Sequence, residues 1–339
     1  MMTGDFSLLS SLFIFCFGAI VGSFLNVCIV RLPHEKSIVF PGSHCVHCQK
    51  AIPWHDNIPL ISYWILGQSC RFCKKKISPR YFIVELVTAI LFVLFFLYFG
   101  LNGVFAANLV LLCGLIVATF VDFEHRIIPD EISVGGMFVG LLLSLAIPQL
   151  HQSSFENLIF GRLLMKIVVG LCALGLGVDF IIKKAKLEKE DAIFLTILGI
   201  LVGTELLIEW LIVQVGVPPV MSKYLLSLDA SLLGLLVGGG SIYAMGLLGD
   251  FLFKKESMGG GDVKLLAMIG TFLGWQLTLL SFFVAPFFGA VYGVIEKIRT
   301  KDSAIAYGPF LAMGALICLF WGEKIIQWIL GGQGFNLNF

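Results

Sequence analysis

Charge is scarce in this chain. Of its 339 residues only 13% are Asp, Glu, Lys or Arg, about half the share usual in a soluble domain. Neither sign is in excess: 23 Lys and Arg face 22 Asp and Glu, which excludes a generally basic nucleic-acid binder. No Lys or Arg precedes Arg31, and the apolar run from about Leu8 to Val30 is too long for a signal-peptide core, so it is expected to stay as a membrane span. What the chain has instead is apolar surface, with 58% hydrophobic residues and a mean hydropathy of +0.96. That excludes disorder and requires lipid as solvent.

Apolar runs near 8–30, 82–99, 105–121, 132–149, 161–182, 192–216, 229–252 and 306–330 have the length of membrane helices, roughly 17–25 residues. Residues 263–296 have room for two shorter helices with a turn around Trp275 to Leu280. Open sheet edges are not tolerated in lipid, so the expected fold is an all-α polytopic membrane protein of about ten transmembrane helices. Nineteen of the 23 Lys and Arg fall in segments 31–80, 122–131, 183–191, 253–265 and 297–305. With ten spans all five lie on one side, which makes that side cytoplasmic and puts both termini outside.

The largest hydrophilic block, 31–81, is then in a reducing compartment. It contains Cys45-Val46-His47-Cys48 and Cys70-Arg71-Phe72-Cys73. Two C-x2-C pairs at this separation are the pattern of a four-thiolate structural zinc site, and metal binding supplies folding energy that so short a block lacks. A pair of redox disulfides and a site using His44 or His47 are the rival readings. Cys16, Cys28, Cys113, Cys172 and Cys318 lie in apolar runs and are expected to be inert packing.

Two carboxylates stand out at span ends on the cytoplasmic side. Asp122 closes the run Leu109 to Val121, and Asp262 follows Met258-Gly259-Gly260-Gly261, directly before Val263 to Leu266. Paired carboxylates held close share one proton, so one acts as acid while the other activates water. Glycines ahead of Asp262 admit an extended peptide backbone, although a hinge between spans explains them as well. Lys264 is expected to be a charge anchor that also biases Asp262. Asp130, after Pro129, suits a helix start.

The ordered set formed by Asp122 to Pro129-Asp130 and Met258 to Leu265 resembles the bacterial prepilin (type IV leader) peptidases, membrane aspartic proteases of the Gly-x-Gly-Asp kind. Gly22-Ser23-Phe24-Leu25-Asn26-Val27, the cysteine pairs, Asn57-Ile58-Pro59-Leu60, Ser78-Pro79-Arg80-Tyr81 with Glu85-Leu86, and Tyr307-Gly308-Pro309-Phe310-Leu311 match as well. The resemblance covers about 6–150 and 229–330. It implies an inner-membrane enzyme that cleaves the leader of pilin-like and pseudopilin precursors at the cytoplasmic face. The new N-terminal amine is then methylated from S-adenosylmethionine. It assigns Asp122 and Asp262 as the catalytic pair, Gly259, Gly260, Gly261 and Lys264 to the active-site loop, and block 31–81 to methyl transfer. No Gly-rich dinucleotide turn marks a cofactor site there. Asn26, Asn57 and Glu85 are polar candidates near that face.

The expected organisation is a first span (1–30), the four-cysteine module (31–81), helices carrying Asp122 (82–150), a two-helix insertion (151–228), and helices carrying the Gly-x-Gly-Asp motif (229–330). Within the insertion, Arg162 and Lys166 are expected to pair across the hairpin with Glu205 and Glu209, which share one helix face; snorkelling of these charges to the outer interface is the rival reading. The alternatives are a peptidase without methyl transfer or, from a different class, a polytopic transporter. A transporter usually places its polar groups near the bilayer midplane, whereas these lie at one interface.

Overall fold

The structure is a computed structural model that describes residues 8–151, 155–183, 189–253, 258–300 and 306–329. Lys184, Lys186, Lys254, Lys255 and Lys301, used above to orient the chain, lie outside the described residues. Ten α-helices follow in order: α1 (Leu8–Arg31), α2 (Ile61–Ile65), α3 (Pro79–Phe99), α4 (Gly103–His125), α5 (Asp130–Ala146), α6 (Phe155–Lys183), α7 (Lys189–Trp210), α8 (Pro219–Phe253), α9 (Gly260–Thr300) and α10 (Gly308–Ile329). Among the described residues there is no strand, only two isolated β-bridges. The all-α expectation holds.

Eight helices among the described residues are long and apolar enough to cross a membrane. The about ten spans read from the sequence differ from this at two places. Helix α5 has 17 residues, and the two spans expected in 263–296 are both part of α9, which runs 41 residues but breaks at Gly274. A straight helix of that length would reach ~60 Å, about twice the hydrocarbon core. At Gly274 the backbone takes φ 74°, ψ 172°, a region that only glycine enters without strain.

The break frees the Thr271 carbonyl from its helical partner. Two side chains satisfy it: Ser231 Oγ at 2.8 Å and His151 Nε2 at 2.9 Å. Burial pushes the His151 imidazole down to about 4, so the ring is neutral and Nε2 carries the donated hydrogen.

The chain divides into two compact units, one through Pro129 and the other from Asp130, each described here by itself. In the first, α1 lies on α3 at close range. A Cβ on Gly18 would stand 2.9 Å from the Ala89 Cα, and one on Gly22 would stand 2.8 Å from the Glu85 Cα. Small residues four apart are the usual device for bringing membrane helices together. In the second unit α8 and α9 meet backbone to backbone, since a Cβ on Gly234 or Gly270 would fall 2.0 Å from the other's carbonyl oxygen.

The second unit also buries an ion cluster. Arg162 of α6 donates from Nε to Glu205 of α7 at 2.9 Å and from Nη2 to Asp229 of α8 at 2.6 Å, with Glu209 3.6 Å from Nη1. Arg162 is 2% exposed, and Glu205 and Asp229 are fully buried. The expected cross-hairpin pairing is therefore present, but it uses Arg162 while Lys166 is exposed, and it recruits Asp229 as a third member. Removing one partner from a buried ion cluster costs about 3–5 kcal/mol. Arg162→Met is expected to lower unfolding stability by that amount in a denaturant titration, and a loss below about 1 kcal/mol would show that the cluster contributes nothing.

Candidate active site and metal centre

Each cysteine pair forms a tight knuckle, and the two are built alike. Cys45 N–H donates to the Lys50 carbonyl at 3.0 Å and Gln49 N–H donates back to Cys45 O at 2.9 Å. In the second, Cys70 N–H donates to Lys75 O at 2.9 Å and Lys74 N–H to Cys70 O at 3.0 Å. Gln49 and Lys74, at the same place in each turn, both have φ 57°. The bridges His44–Ala51 and Ser69–Lys76 close the two loops.

These turns bring the Sγ atoms of Cys45, Cys48, Cys70 and Cys73 within 4.8 Å of one another. Cys45 and Cys73 are 3.9 Å apart, and Cys48 and Cys70 are 4.0 Å apart. Zinc with four thiolates at ~2.3 Å requires S–S separations of about 3.8 Å, so the donor set fits zinc. A disulfide would need ~2.05 Å, and all four cysteines are free. The cluster contains neither His44 nor His47, and His44 Nδ1 lies 2.9 Å from the Gly42 carbonyl.

Backbone amides of Cys73 and Phe72 push the Cys70 thiol down to about 6. Cys48 goes up to about 11: the Lys50 backbone favours its thiolate, but burial and hydrogen bonds with the other three thiols outweigh that. Four adjoining thiols resist joint ionisation, and a divalent cation removes that resistance. Between the knuckles, Arg71 clamps Asp56 through Nε at 2.6 Å and Nη2 at 2.5 Å. This guanidinium holds the Asp56 carboxyl below its usual range.

Asp122 lies in the last turn of α4 and is buried, with 6% exposure. The helix stops just beyond it. Arg126 takes a left-handed conformation, φ 57°, and its N–H caps the Asp122 carbonyl at 2.9 Å. Pro129 then prevents continuation. Glu124 is on that same last turn and pairs with Arg80 of α3.

Asp262 lies in the first turn of α9, where a carboxylate is favoured by the exposed helix amides. Its N–H donates to Gly259 O at 3.1 Å. Packing does not explain Gly259 and Gly260. A Cβ on Gly260 would meet nothing within 4 Å, and one on Gly259 would meet only Asp262 Oδ2, at 3.3 Å.

Lys264 reaches Asp130, at the start of α5, with Nζ 2.7 and 2.9 Å from the two carboxylate oxygens. Tyr307, just ahead of α10, is the site neighbour that sequence reasoning did not single out. Its half-buried phenol is close enough to Asp262 to interact with that charge. Its only sequence signal is its place in the Tyr307-Gly308-Pro309 stretch. Asp122 and Asp262 belong to different units, and each is described only in its own.

Comparison with known proteins adds two matches at family level. Residues 16–99 match the bacterial peptidase A24 N-terminal domain. Residues 109–218 and 210–294 match the type IV leader peptidase family. Among curated proteins, a prepilin leader peptidase/N-methyltransferase of Pseudomonas aeruginosa is 28% identical over 94% of this chain and 93% of its own length. One of Myxococcus xanthus is 30% identical over 88% of this chain and 67% of its own length. A type 4 prepilin-like proteins leader peptide-processing enzyme of Escherichia coli is 27% identical over 89% and 91%. No solved structure matches the chain.

Proposed function

The chain belongs to the type IV leader peptidase family, and we propose that Asp122 and Asp262 are the two carboxylates of its peptidase centre. The protein is a multi-pass inner-membrane aspartic peptidase and N-methyltransferase that cleaves the leader of type IV prepilins and methylates the new N-terminus. The clustering of Lys and Arg supports a cytoplasmic position for the centre and an outer position for both termini. Precursors of the pilin and pseudopilin kind are the proposed partners.

The observation that carries the peptidase assignment is the setting of Asp262. It opens a membrane helix behind three glycines, one of which leaves open the space that a side chain would fill. In the mechanism, one carboxylate holds a proton and polarises the scissile carbonyl, and the other takes a proton from the attacking water. The glycine strip lets the leader lie extended next to Asp262.

The strip is testable apart from the aspartates. Gly260→Ala has nothing to clash with in the free enzyme and is expected to unfold at the wild-type denaturant concentration. Its methyl group intrudes where the substrate backbone passes, so leader cleavage is expected to fall about a hundredfold, the usual effect of displacing a substrate by ~1 Å. Wild-type cleavage would leave the glycines as a hinge.

The cysteine cluster is proposed as a structural zinc centre within a module spanning 31–81, because four protein ligands leave no position for water. Residues 151–228 are proposed as a two-helix addition held to α8 by the Arg162 cluster. S-adenosylmethionine, when bound, supplies the methyl group, and the chain's part is to hold the donor and present the new amine.

A further inference from the structure

Among the described residues, the four-cysteine module leaves one apolar helix face uncovered. Helix α2 has only five residues, too few to hold itself, and its neighbours fix it. Ser62 Oγ accepts the Ile58 N–H at 3.0 Å and donates to the His55 carbonyl at 3.1 Å. Ser62, Tyr63 and Leu66 line a cavity bounded by α1, α3 and the module. Ile61, Trp64 and Ile65, spaced i, i+3 and i+4, share the other face and are 55%, 60% and 73% exposed.

This face stands beside the start of a membrane span. Tyr63 stacks on Phe82 of α3 with ring centroids 5.5 Å apart, and the Trp64 ring meets Phe82 edge-on at 5.6 Å. The Leu60 N–H, just ahead of α2, donates to Glu85 of α3 at 2.7 Å. Phe82 and Glu85 lie in the first two turns of α3, so α2 is held against the first ~10 Å of that helix. With 21 residues α3 is ~31 Å long, which matches the ~30 Å hydrocarbon core and puts its first turns at the bilayer interface. Ile83, Ile90, Leu94 and Leu97 form an exposed stripe along α3 that begins one residue past Phe82. The face of α2 therefore continues a surface that lipid already covers.

Positive charge lies next to the same face. Ile77 N–H donates to the Gln68 carbonyl at 2.7 Å and Ser69 bridges to Lys76, so the run Lys74-Lys75-Lys76 is tied to the residues that follow α2. All three lysines are exposed. Residues 31–81 carry eight Lys and Arg against Glu35 and Asp56, and Asp56 is taken by Arg71. The block stays basic after the two net negative charges of a four-thiolate zinc centre are counted. An apolar turn with a Trp at interface depth, flanked by lysines, has the two features that hold a segment on an anionic bilayer surface.

We propose that α2 docks the four-cysteine module onto the bilayer surface from which α1 and α3 emerge. Ile61, Trp64 and Ile65 enter the headgroup boundary, and Lys74, Lys75 and Lys76 meet the phosphates of anionic lipids. Docked in this way, the module keeps a fixed height over the membrane.

The test uses the full-length protein in nanodiscs, with an environment-sensitive fluorescent amino acid in place of Ile65. The discs contain phosphatidylcholine alone or mixed with phosphatidylglycerol, and the quencher is either attached to lipid near the headgroup or dissolved in water. In the anionic discs the label is expected to be quenched from the lipid and about tenfold less accessible from water than a free label. Neutral discs, and the triple variant Lys74→Gln, Lys75→Gln, Lys76→Gln in anionic discs, are each expected to lower the lipid quenching about threefold or more. Full quenching from water in both kinds of disc would overturn the docking. Shielding from water without quenching from lipid would overturn it in favour of a protein partner, a second copy of the chain included. Lipid quenching indifferent to both the lysines and phosphatidylglycerol would overturn the assignment to anionic lipid. Prepilin cleavage by the labelled protein in the same discs reports an intact enzyme, so a failed docking is distinguished from a failed fold.

Discussion

Asp122→Asn and Asp262→Asn are each expected to slow leader cleavage by about a thousandfold or more, and the double variant is expected to be no slower than either single one. Groups that act independently multiply their losses, whereas an acid and a base that share one proton fail together. The asparagine side chain keeps the shape and a hydrogen-bonding oxygen, so the buried Asp122 site in α4 and the first turn of α9 both remain satisfiable. The measurement is single-turnover cleavage of a prepilin by all four proteins across pH. The wild type is expected to give a bell, because activity needs exactly one of the two carboxyls protonated. Losses that multiply in the double variant would dissolve the pair into two unrelated acids.

The second large effect concerns the metal. Structural zinc in small domains contributes about 10–16 kcal/mol of folding free energy near neutral pH, as much as or more than a whole domain's ~5–15 kcal/mol. A block such as 31–81 has little core of its own; most of its large apolar side chains, Val39, Phe40, Val46, Trp54, Trp64 and Ile65 among them, are exposed. Cys70→Ser is therefore expected to lower zinc content from about one per chain to near none and to abolish methyl transfer. It is also expected to make the chain between Arg31 and Tyr81 the first point of proteolysis. Elemental analysis and timed digestion check this. A wild type that carries no zinc and shows two disulfides by mass would contradict it.

What could be read in advance was local chemistry. Cysteine spacing encodes a tetrahedron because each C-x2-C closes one knuckle, and the structure delivers both knuckles. Asp122 and Asp262 were legible as carboxylates at the ends of apolar runs, and they are found in terminal helical turns. Long-range geometry was not legible in the same way. Arg162 and Lys166 share a helix face, and nothing local says that Arg162 takes the buried site or that Asp229, 67 positions later, joins it. The turn expected around Trp275 to Leu280 is instead a break at Gly274. Its location depends on which glycine can leave helical space and on two side chains from other segments that meet the freed carbonyl. Lys264 read as a surface anchor, and its partner Asp130 is 134 residues away.

The central claim, that one chain removes a leader by an aspartate pair and then methylates what remains, is tested most directly by mass spectrometry. A cognate prepilin is co-expressed with the wild type, Asp122→Ala or Asp262→Ala. The wild type is predicted to yield pilin lacking its leader and heavier by one methyl group, and both variants to leave the precursor whole. A leader removed by either variant would contradict the aspartate assignment, and a cleaved but unmethylated product from the wild type would contradict the transferase half.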